Sequence, residues 1–403
     1  MTGRAERPHL RRSRLTAGLA APALLALGLT GCSSAPTTAA VRAAAGAPSV
    51  PTPLATSLQT AGGTWATIPM GRLDEPLNTF WQLLFKRDGT SRWSDQVEAT
   101  ATATNGGLVL STLGKRSLMV GVRPSVDLTF TPLISTSGSA RSWSDGLITV
   151  RLAARPNALA ADSAGQALAL VDRADGTQVL STTGDISEWR AVTTEQALAA
   201  SAPGKSCGVG PLTAVGYLAG EAMVGASCAK AGVVGIFAQQ AGAWRLVGPT
   251  LPPPLGGGRV EVLGLGRTKT GGYGLLAVVR GALTDLVAAW SGPGERWATS
   301  KPLALDGKQV ASFGPARGSG LFVLLQAPSG ADNLAVTDGP GGMWQELVPP
   351  PSGTATVAFG PPSPPVALVA SGTTLTIWSL EPPTRSWTVN QVIHVPIQYG
   401  SSS

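Results

Sequence analysis

The sequence predicts an all-β fold, a β-propeller of four-stranded antiparallel blades, on three observations. Seven tryptophans recur along the chain with gaps of 43 to 55 residues. The segments between them repeat three short apolar runs, a turn rich in glycine, serine or aspartate, and a fourth run opening with tryptophan. Helix signals are nearly absent, and the best stretch, residues 195–201, is too short to matter. A period of about 40–50 residues with four strands per repeat is typical of propeller blades.

The recurring tryptophans mark the predicted blades and are interpreted as structural, filling the gap between blades near the outer rim. Stacking against a ligand is the alternative. Three further tryptophans, Trp81, Trp290 and Trp378, are expected in or near third strands. The seven recurring residues are Trp93, Trp143, Trp189, Trp244, Trp297, Trp344 and Trp387.

Three consecutive units show the predicted strands most clearly, because short apolar runs separated by turn residues indicate β-strands. In each unit three runs precede the tryptophan. The runs are 260–265, 274–279 and 286–290 before Trp297, 310–313, 321–325 and 334–337 before Trp344, and 354–359, 366–370 and 375–378 before Trp387.

The number of blades follows from the tryptophan spacing. Six intervals averaging 49 residues predict seven blades, with six as the alternative. The start is irregular, because Trp65 precedes Trp93 by only 28 residues. We therefore expect residues 79–86 and 92–97 to be late strands of a blade that the C-terminal run 392–399 completes, which would close the ring.

The first 31 residues have the three parts of a secretory signal. Five arginines precede an apolar run of 15 residues, 15–29, which is shorter than the ~20 residues a membrane-spanning helix needs. The run ends in Leu29-Thr30-Gly31-Cys32, which resembles the bacterial lipobox. The resemblance implies cleavage before Cys32, lipidation of Cys32 and attachment outside the cytoplasmic membrane. A plain signal peptide is the alternative, and Sec export is favoured over the twin-arginine route.

The composition after the leader divides the chain into a tether and a folded body. Residues 33–63 are almost entirely Ala, Ser, Thr, Pro and Gly, which cannot bury enough apolar surface to fold. We expect a lipidated cysteine and flexible tether over 32–63 and a propeller over 64–403. The leader holds five arginines and one glutamate, so the chain's net charge of +7 falls to about +3 without it. The basic balance therefore does not indicate a nucleic-acid partner.

The two cysteines beyond Cys32 are predicted to form a disulfide. Cys207 and Cys228 flank two short strand-like runs, 212–215 and 222–225, in a protein expected in an oxidising compartment. Two buried thiols are one alternative. A metal site is the other, and it is disfavoured because His394 is the single histidine after the leader. No metal or other cofactor is expected.

The turns before the tryptophans resemble the Asp-box repeat of bacterial neuraminidases, Ser-x-Asp-x-Gly-x-Thr-Trp. Asp88 keeps the family's spacing to Trp93, whereas Asp338 lies one residue too far from Trp344. The resemblance implies a propeller with the boxes between third and fourth strands. It does not carry sialidase chemistry, since that needs an arginine triad and a tyrosine nucleophile paired with a glutamate. The chain has no Arg-Ile-Pro motif and three tyrosines.

No catalytic set stands out in the sequence, so no catalytic residue is predicted. We expect a non-enzymatic, membrane-anchored envelope lipoprotein whose propeller binds a protein or glycan partner, with the face of the ring as the default site. A divergent sialidase-like enzyme is one alternative, and its mark would be clustered Arg, Asp and Glu side chains in a funnel. A structural component of an envelope assembly is the other, and its mark would be a broad apolar patch.

Overall fold

The alternation of apolar runs and turns produces antiparallel sheets through nearly all of the structure. A computed structural model describes part of the chain, and all described residues belong to one compact unit, Ala44–Ser403. The described residues are 57–60, 62–71, 79–95, 108–113, 116–122, 130–135, 143–145, 157–173, 176–183, 188–267, 271–292, 296–330, 332–359, 364–381 and 385–395.

The first twelve strands form three separate four-stranded sheets, which are blades 1 to 3 in chain order. Within each blade, each strand pairs antiparallel with the strand before it in the chain. The strands are β1 (Ser57–Thr60), β2 (Gly63–Gly71), β3 (Thr79–Arg87), β4 (Trp93–Asp95), β5 (Leu108–Leu113), β6 (Arg116–Val122), β7 (Phe130–Ser135), β8 (Trp143–Asp145), β9 (Ala158–Ala161), β10 (Gln166–Arg173), β11 (Gly176–Thr183) and β12 (Arg190–Thr194).

Blades 4 and 5 are two four-stranded units, and the single backbone pair Cys228 and Val260 connects the second strand of blade 4 to the first strand of blade 5. A short ninth strand pairs with the third strand of blade 5. The strands are β13 (Val209–Leu218), β14 (Glu221–Cys228), β15 (Gly235–Gln240), β16 (Ala243–Leu246), β17 (Arg259–Arg267), β18 (Gly272–Arg280), β19 (Leu283–Ser291), β20 (Trp297–Thr299) and β21 (Leu303–Ala304).

Blades 6 and 7 bring the four-stranded units in the described residues to seven, and the expected propeller fold is confirmed. Eight of the nine apolar runs identified in the sequence before Trp297, Trp344 and Trp387 fall within the first three strands of blades 5, 6 and 7, and the run 354–359 extends one residue past the first strand of blade 7. The strands of blades 6 and 7 are β22 (Gln309–Pro315), β23 (Leu321–Gln326), β24 (Asp332–Thr337), β25 (Trp344–Glu346), β26 (Thr354–Ala358), β27 (Val366–Ser371), β28 (Thr374–Glu381) and β29 (Ser386–His394).

The antiparallel order divides the turns between two faces of the ring. Turns joining second to third strands lie at the same end of a blade as the segments that link successive blades, and we call this end the link face. Turns joining first to second and third to fourth strands lie at the other end, the hairpin face. Residues from neighbouring blades can meet on either face although they are some 50 residues apart in the chain.

The core consists of apolar clusters that each lie between two adjacent blades. Leu275 and Leu286 of blade 5 pack with Leu321 and Val323 of blade 6, and all four are buried. Equivalent clusters join blades 3 and 4, 4 and 5, 6 and 7, and 7 and 1. Burying an apolar side chain of this size contributes about 1.5–3 kcal/mol to the free energy of folding. Because blades 4 to 7 each pack against a neighbour on both faces, both faces of a blade stabilise the ring.

The ring closes differently from the sequence expectation. Blade 1 is complete without the C-terminal run, because β1 and β2 supply its first two strands. The described start of the C-terminal run, residues 392–394, instead belongs to β29, the fourth strand of blade 7, and residues 396–399 lie outside the described residues. Side chains close the ring: the hydroxyl of Thr356 in β26 donates to the Thr67 carbonyl at 3.2 Å, and Ile68 packs against Leu368.

The predicted start of the folded body changes. Strand β1 lies inside the segment expected to be a tether, so the folded body begins at least seven residues before residue 64. The rest of the expected tether and the leader lie outside the described residues.

The segment that links blades 3 and 4 contains two short helices, α1 (Glu195–Ala200) and α2 (Ala202–Cys207), capped by the hydroxyls of Thr194 and Ser201. No helix in the described part of the chain is long and apolar enough to span a membrane.

Candidate functional site

Cysteines 207 and 228 are joined in a disulfide, as the sequence predicts. Cys207 ends α2, Cys228 ends β14, and both are fully buried with their Cα atoms 5.2 Å apart. The bond ties the helical link between blades 3 and 4 to the second strand of blade 4, on the link face. Cys32, the predicted lipidation site, lies outside the described residues.

The seven recurring tryptophans all stand at the start of a fourth strand. Six are the first or second residue of that strand, and Trp189 directly precedes β12. Where their side chains are described in a core cluster, each packs between its own blade and the preceding blade. These residues are Trp93, Trp244, Trp297, Trp344 and Trp387.

Two of these indole N–H groups also donate hydrogen bonds to the preceding blade. Trp344 Nε1 donates to the Ser300 hydroxyl at 3.2 Å, and Trp387 Nε1 donates to the Val348 carbonyl at 3.1 Å. Each acceptor follows the fourth strand of the preceding blade. The packing and these hydrogen bonds support the structural interpretation over ligand stacking. Trp81, Trp290 and Trp378 lie in third strands, as expected.

The described tyrosines and the histidine do not form a reactive set. Tyr217 and Tyr273 are buried, and desolvation raises the pKa of both hydroxyls, with nearby Asp162 adding to the effect at Tyr217. His394 is exposed at the end of β29, with Nδ1 3.2 Å from the Thr374 hydroxyl. Tyr399 lies outside the described residues. In the part of the chain that the structure describes, no cluster of His, Cys, Asp or Glu could hold a metal ion.

A groove of about 380 Å³ lies between blades 6 and 7 on the hairpin face. Its apolar part includes Phe322 of β23, which is half-buried and stacks on buried Phe359 of blade 7 with ring centroids 5.4 Å apart and planes at 7°. Leu347 and Leu380 line it from the two blades. This volume falls within the range of about 300–1,000 Å³ that small-ligand sites occupy.

The rim of this groove, which we call the 6–7 groove, carries four exposed charged side chains. Arg317 comes from the first turn of blade 6 and Asp338 from the turn before Trp344. Glu381 ends the third strand of blade 7, and Arg385 belongs to the turn that follows it. The Glu381 carboxylate accepts a hydrogen bond from the Thr388 hydroxyl at 3.4 Å. The rim therefore offers two guanidinium donors and two carboxylate acceptors above an apolar floor.

A second concavity, of about 290 Å³, lies on the link face between blades 5 and 6. Asp285 in its wall is nearly buried and forms an ion pair with Arg280. Asp306 and Lys308 belong to the segment that links the two blades. A third, smaller pocket of about 100 Å³ lies beside α1. The 6–7 groove is the candidate site because it combines the larger volume with an aromatic floor.

Sequence reasoning did not identify the 6–7 groove. Its charged residues lie in or beside turns of two blades, and turn residues carry no periodic signal. Asp338 stands out in the sequence only as a displaced Asp-box residue. Arg385 has no sequence motif around it. It lies two residues before Trp387 and has a left-handed backbone conformation, with φ of 53°. In blade 4 the position two residues before Trp244 is Gly242, with φ of 81°.

Comparisons with known proteins support the architecture. No protein-family model and no curated protein matches the chain. Among solved structures, a lectin from Burkholderia pseudomallei is similar at 14% identity and a TM-score of 0.52, covering 85% of this chain and 99% of the lectin. The periplasmic gluconolactonase of Pseudomonas aeruginosa is similar at 13% identity and a TM-score of 0.50, covering 82% and 96%.

A xyloglucanase from Xanthomonas campestris is similar at 14% identity and a TM-score of 0.53. The match covers 84% of this chain and 54% of the xyloglucanase, so this chain spans about half the length of that enzyme. At these identities the likenesses show the fold alone: the chain is similar to β-propellers that differ in function.

Proposed function

We propose that the protein is a lipid-anchored envelope protein that binds a protein or glycan partner outside the cytoplasmic membrane through its 6–7 groove. The observation that carries this proposal is the groove itself, where an aromatic floor and four charged side chains from two blades converge. A concave site of this size, with an apolar base and a few polar groups, suits ligand recognition. The similar lectin from B. pseudomallei gives a precedent for recognition by this fold.

The anchoring half of the proposal rests on Leu29-Thr30-Gly31-Cys32 and is tested separately. Cells fed an alkyne-bearing fatty acid should label the protein, and the label should stay in the membrane fraction. The variant Cys32→Ala should lose both the label and the membrane association. Labelling that survives this substitution would contradict anchoring at Cys32.

The binding half is tested by crosslinking in intact cells. A photoreactive amino acid replaces either Gln345, an exposed residue lining the groove, or Asp306 in the link-face concavity. The proposal predicts covalent adducts with a partner from position 345 and few from position 306. Equal adducts from both positions, or adducts from position 306 alone, would contradict recognition at the groove.

A pair of carboxylates favours hydrolysis of a glycosidic bond as a second candidate function. Asp338 and Glu381 place two carboxylates on one groove, and hydrolysis of a glycosidic bond requires such a pair. Release of reducing ends from polysaccharides, lost in both Asp338→Asn and Glu381→Gln, would establish an enzyme.

The alternative of a structural component predicts a broad apolar patch. The exposed large apolar side chains in the described part of the chain are spread over blades 5, 6 and 7: Leu283, Met343, Val348, Val389 and Val392.

A further inference from the structure

The charges around the 6–7 groove balance, and this balance constrains its ligand. Arg317 and Arg385 carry two positive charges, and Asp338 and Glu381 carry two negative charges. A strongly anionic or cationic ligand would be attracted by one pair and repelled by the other. A hydroxyl group can donate one hydrogen bond and accept others, so a polyhydroxylated ligand can use both the guanidinium and the carboxylate groups.

The floor of the groove adds a second constraint. Phe322 is half-buried, and its stacking on Phe359 orients the ring within the groove. Leu347 and Leu380 extend the apolar surface on either side. A ligand that covers this floor needs an apolar face of its own. The C–H face of a pyranose ring combines such a surface with hydroxyl groups at its edge.

The backbone at Arg385 gives an independent observation. Its φ of 53° is a left-handed conformation that costs a residue with a Cβ roughly 1 kcal/mol and that glycine adopts readily. The corresponding turns before Trp93, Trp244 and Trp344 have glycines with positive φ, namely Gly89, Gly242 and Gly341. The turn would thus accept glycine, and arginine supplies a charged side chain to the groove at a cost in backbone energy.

We propose that the 6–7 groove binds a neutral sugar ring of a glycan. This inference deepens the proposed function and rests on the groove being the recognition site. Arg317 and Arg385 would donate to ring hydroxyl oxygens, Asp338 and Glu381 would accept from hydroxyl groups, and Phe322 would pack on the C–H face. A peptide partner lacks a repeating set of adjacent hydroxyl groups and would use this rim less completely.

The test measures binding of the full chain, purified in detergent, to an array of neutral, acidic and amino-sugar glycans. The proposal predicts binding to neutral glycans. Arg385→Gly should lower the affinity for them at least tenfold, while its urea midpoint stays equal or rises because the left-handed strain is relieved. The matched control is Asp306→Gly, which relieves a similar φ of 49° in the link-face concavity and should change affinity less than twofold.

Three results would overturn the inference: binding confined to acidic glycans, no glycan binding, or an unchanged affinity in a folded Arg385→Gly variant. Failure here is distinguishable from failure of the proposed function. If no glycan binds but the crosslinker at position 345 captures a protein, the glycan inference is wrong and recognition at the groove stands. If position 345 captures nothing and no glycan binds, both are wrong.

Discussion

The side-chain amide of Gln391 holds both polar groups of the Trp93 backbone, although the two residues are 298 positions apart. Its Oε1 accepts from the Trp93 N–H at 2.8 Å, and its Nε2 donates to the Trp93 carbonyl at 3.0 Å. Gln391 lies in β29 of blade 7 and Trp93 opens β4 of blade 1. The amide thus makes the two backbone hydrogen bonds that a neighbouring strand would make. It joins the first and last blades, for which the sequence predicts a shared sheet.

Removing this amide should weaken the closure of the ring. Gln391→Ala deletes two partly buried hydrogen bonds, each of which contributes about 0.5–1.5 kcal/mol. We expect the free energy of unfolding in urea to fall by about 1–3 kcal/mol. Val389→Ala, two residues away on the same strand and half exposed, is the matched control and should change it by about 0.5 kcal/mol or less. Equal effects of the two variants would argue against a role for Gln391 in closure.

The disulfide should contribute to stability by restricting the unfolded chain. Cys207 and Cys228 enclose a loop of 21 positions, for which loop closure predicts a contribution of about 3 kcal/mol. The double variant Cys207→Ala/Cys228→Ala should lose about that much in urea unfolding. Adding a reductant should destabilise the wild-type protein and leave the double variant unchanged. Rapid alkylation of both cysteines in the unreduced, folded protein would contradict the bond.

The Ser300 hydroxyl should stabilise the contact between blades 5 and 6. Its hydroxyl accepts from the Ala288 N–H at 3.0 Å and from Trp344 Nε1 at 3.2 Å, and the residue is buried. Ser300→Ala leaves both donors without this acceptor and should cost about 1–3 kcal/mol. Exposed Ser206, replaced by alanine, serves as the control. In a Trp344→Phe background the cost of Ser300→Ala should shrink; an undiminished cost would show that the two residues do not cooperate.

The buried tyrosines predict a loss of stability at alkaline pH. Burial raises the pKa of Tyr217 and Tyr273 above the ordinary value near 10, so the folded state holds these protons more tightly than the unfolded state. Their contribution is fully present below about pH 10 and is lost as the pH rises further. We expect the free energy of unfolding to fall above pH 10, and to fall less steeply in Tyr273→Phe. Tyrosinate absorbance in the folded protein near pH 10, accounting for all three tyrosines, would contradict this.

The blades could be predicted from the sequence because their signal is periodic. Trp297, Trp344 and Trp387 each follow three apolar runs, and burial between neighbouring blades requires those runs. The start of the ring could not be predicted in the same way. Strand β1 has the sequence Ser-Leu-Gln-Thr and pairs through its backbone with β2, so its composition resembles the tether before it. Missing β1 made blade 1 look incomplete, which led to the wrong expectation that the C-terminal run completes it.

The groove could not be predicted because contact between turns depends on the closed architecture. Arg317 and Arg385 are 68 positions apart and meet at one groove only once blades 6 and 7 pack together. The stacking of Phe322 on Phe359 likewise joins a second strand of one blade to the end of the first strand of the next. Charged turn residues are ordinarily solvated. Nothing in the sequence distinguishes the four charged residues at the rim of the groove from other charged turn residues.

Two complete blades, 1 and 7, meet through side chains to close the ring. Amide hydrogen exchange at Trp93, followed by NMR on protein labelled with ¹⁵N-tryptophan, tests this closure most directly. Gln391→Ala should accelerate exchange at the Trp93 N–H by about tenfold, corresponding to about 1.4 kcal/mol, and leave the amide of Trp290 in blade 5 unchanged. An unchanged rate at Trp93 would contradict this closure.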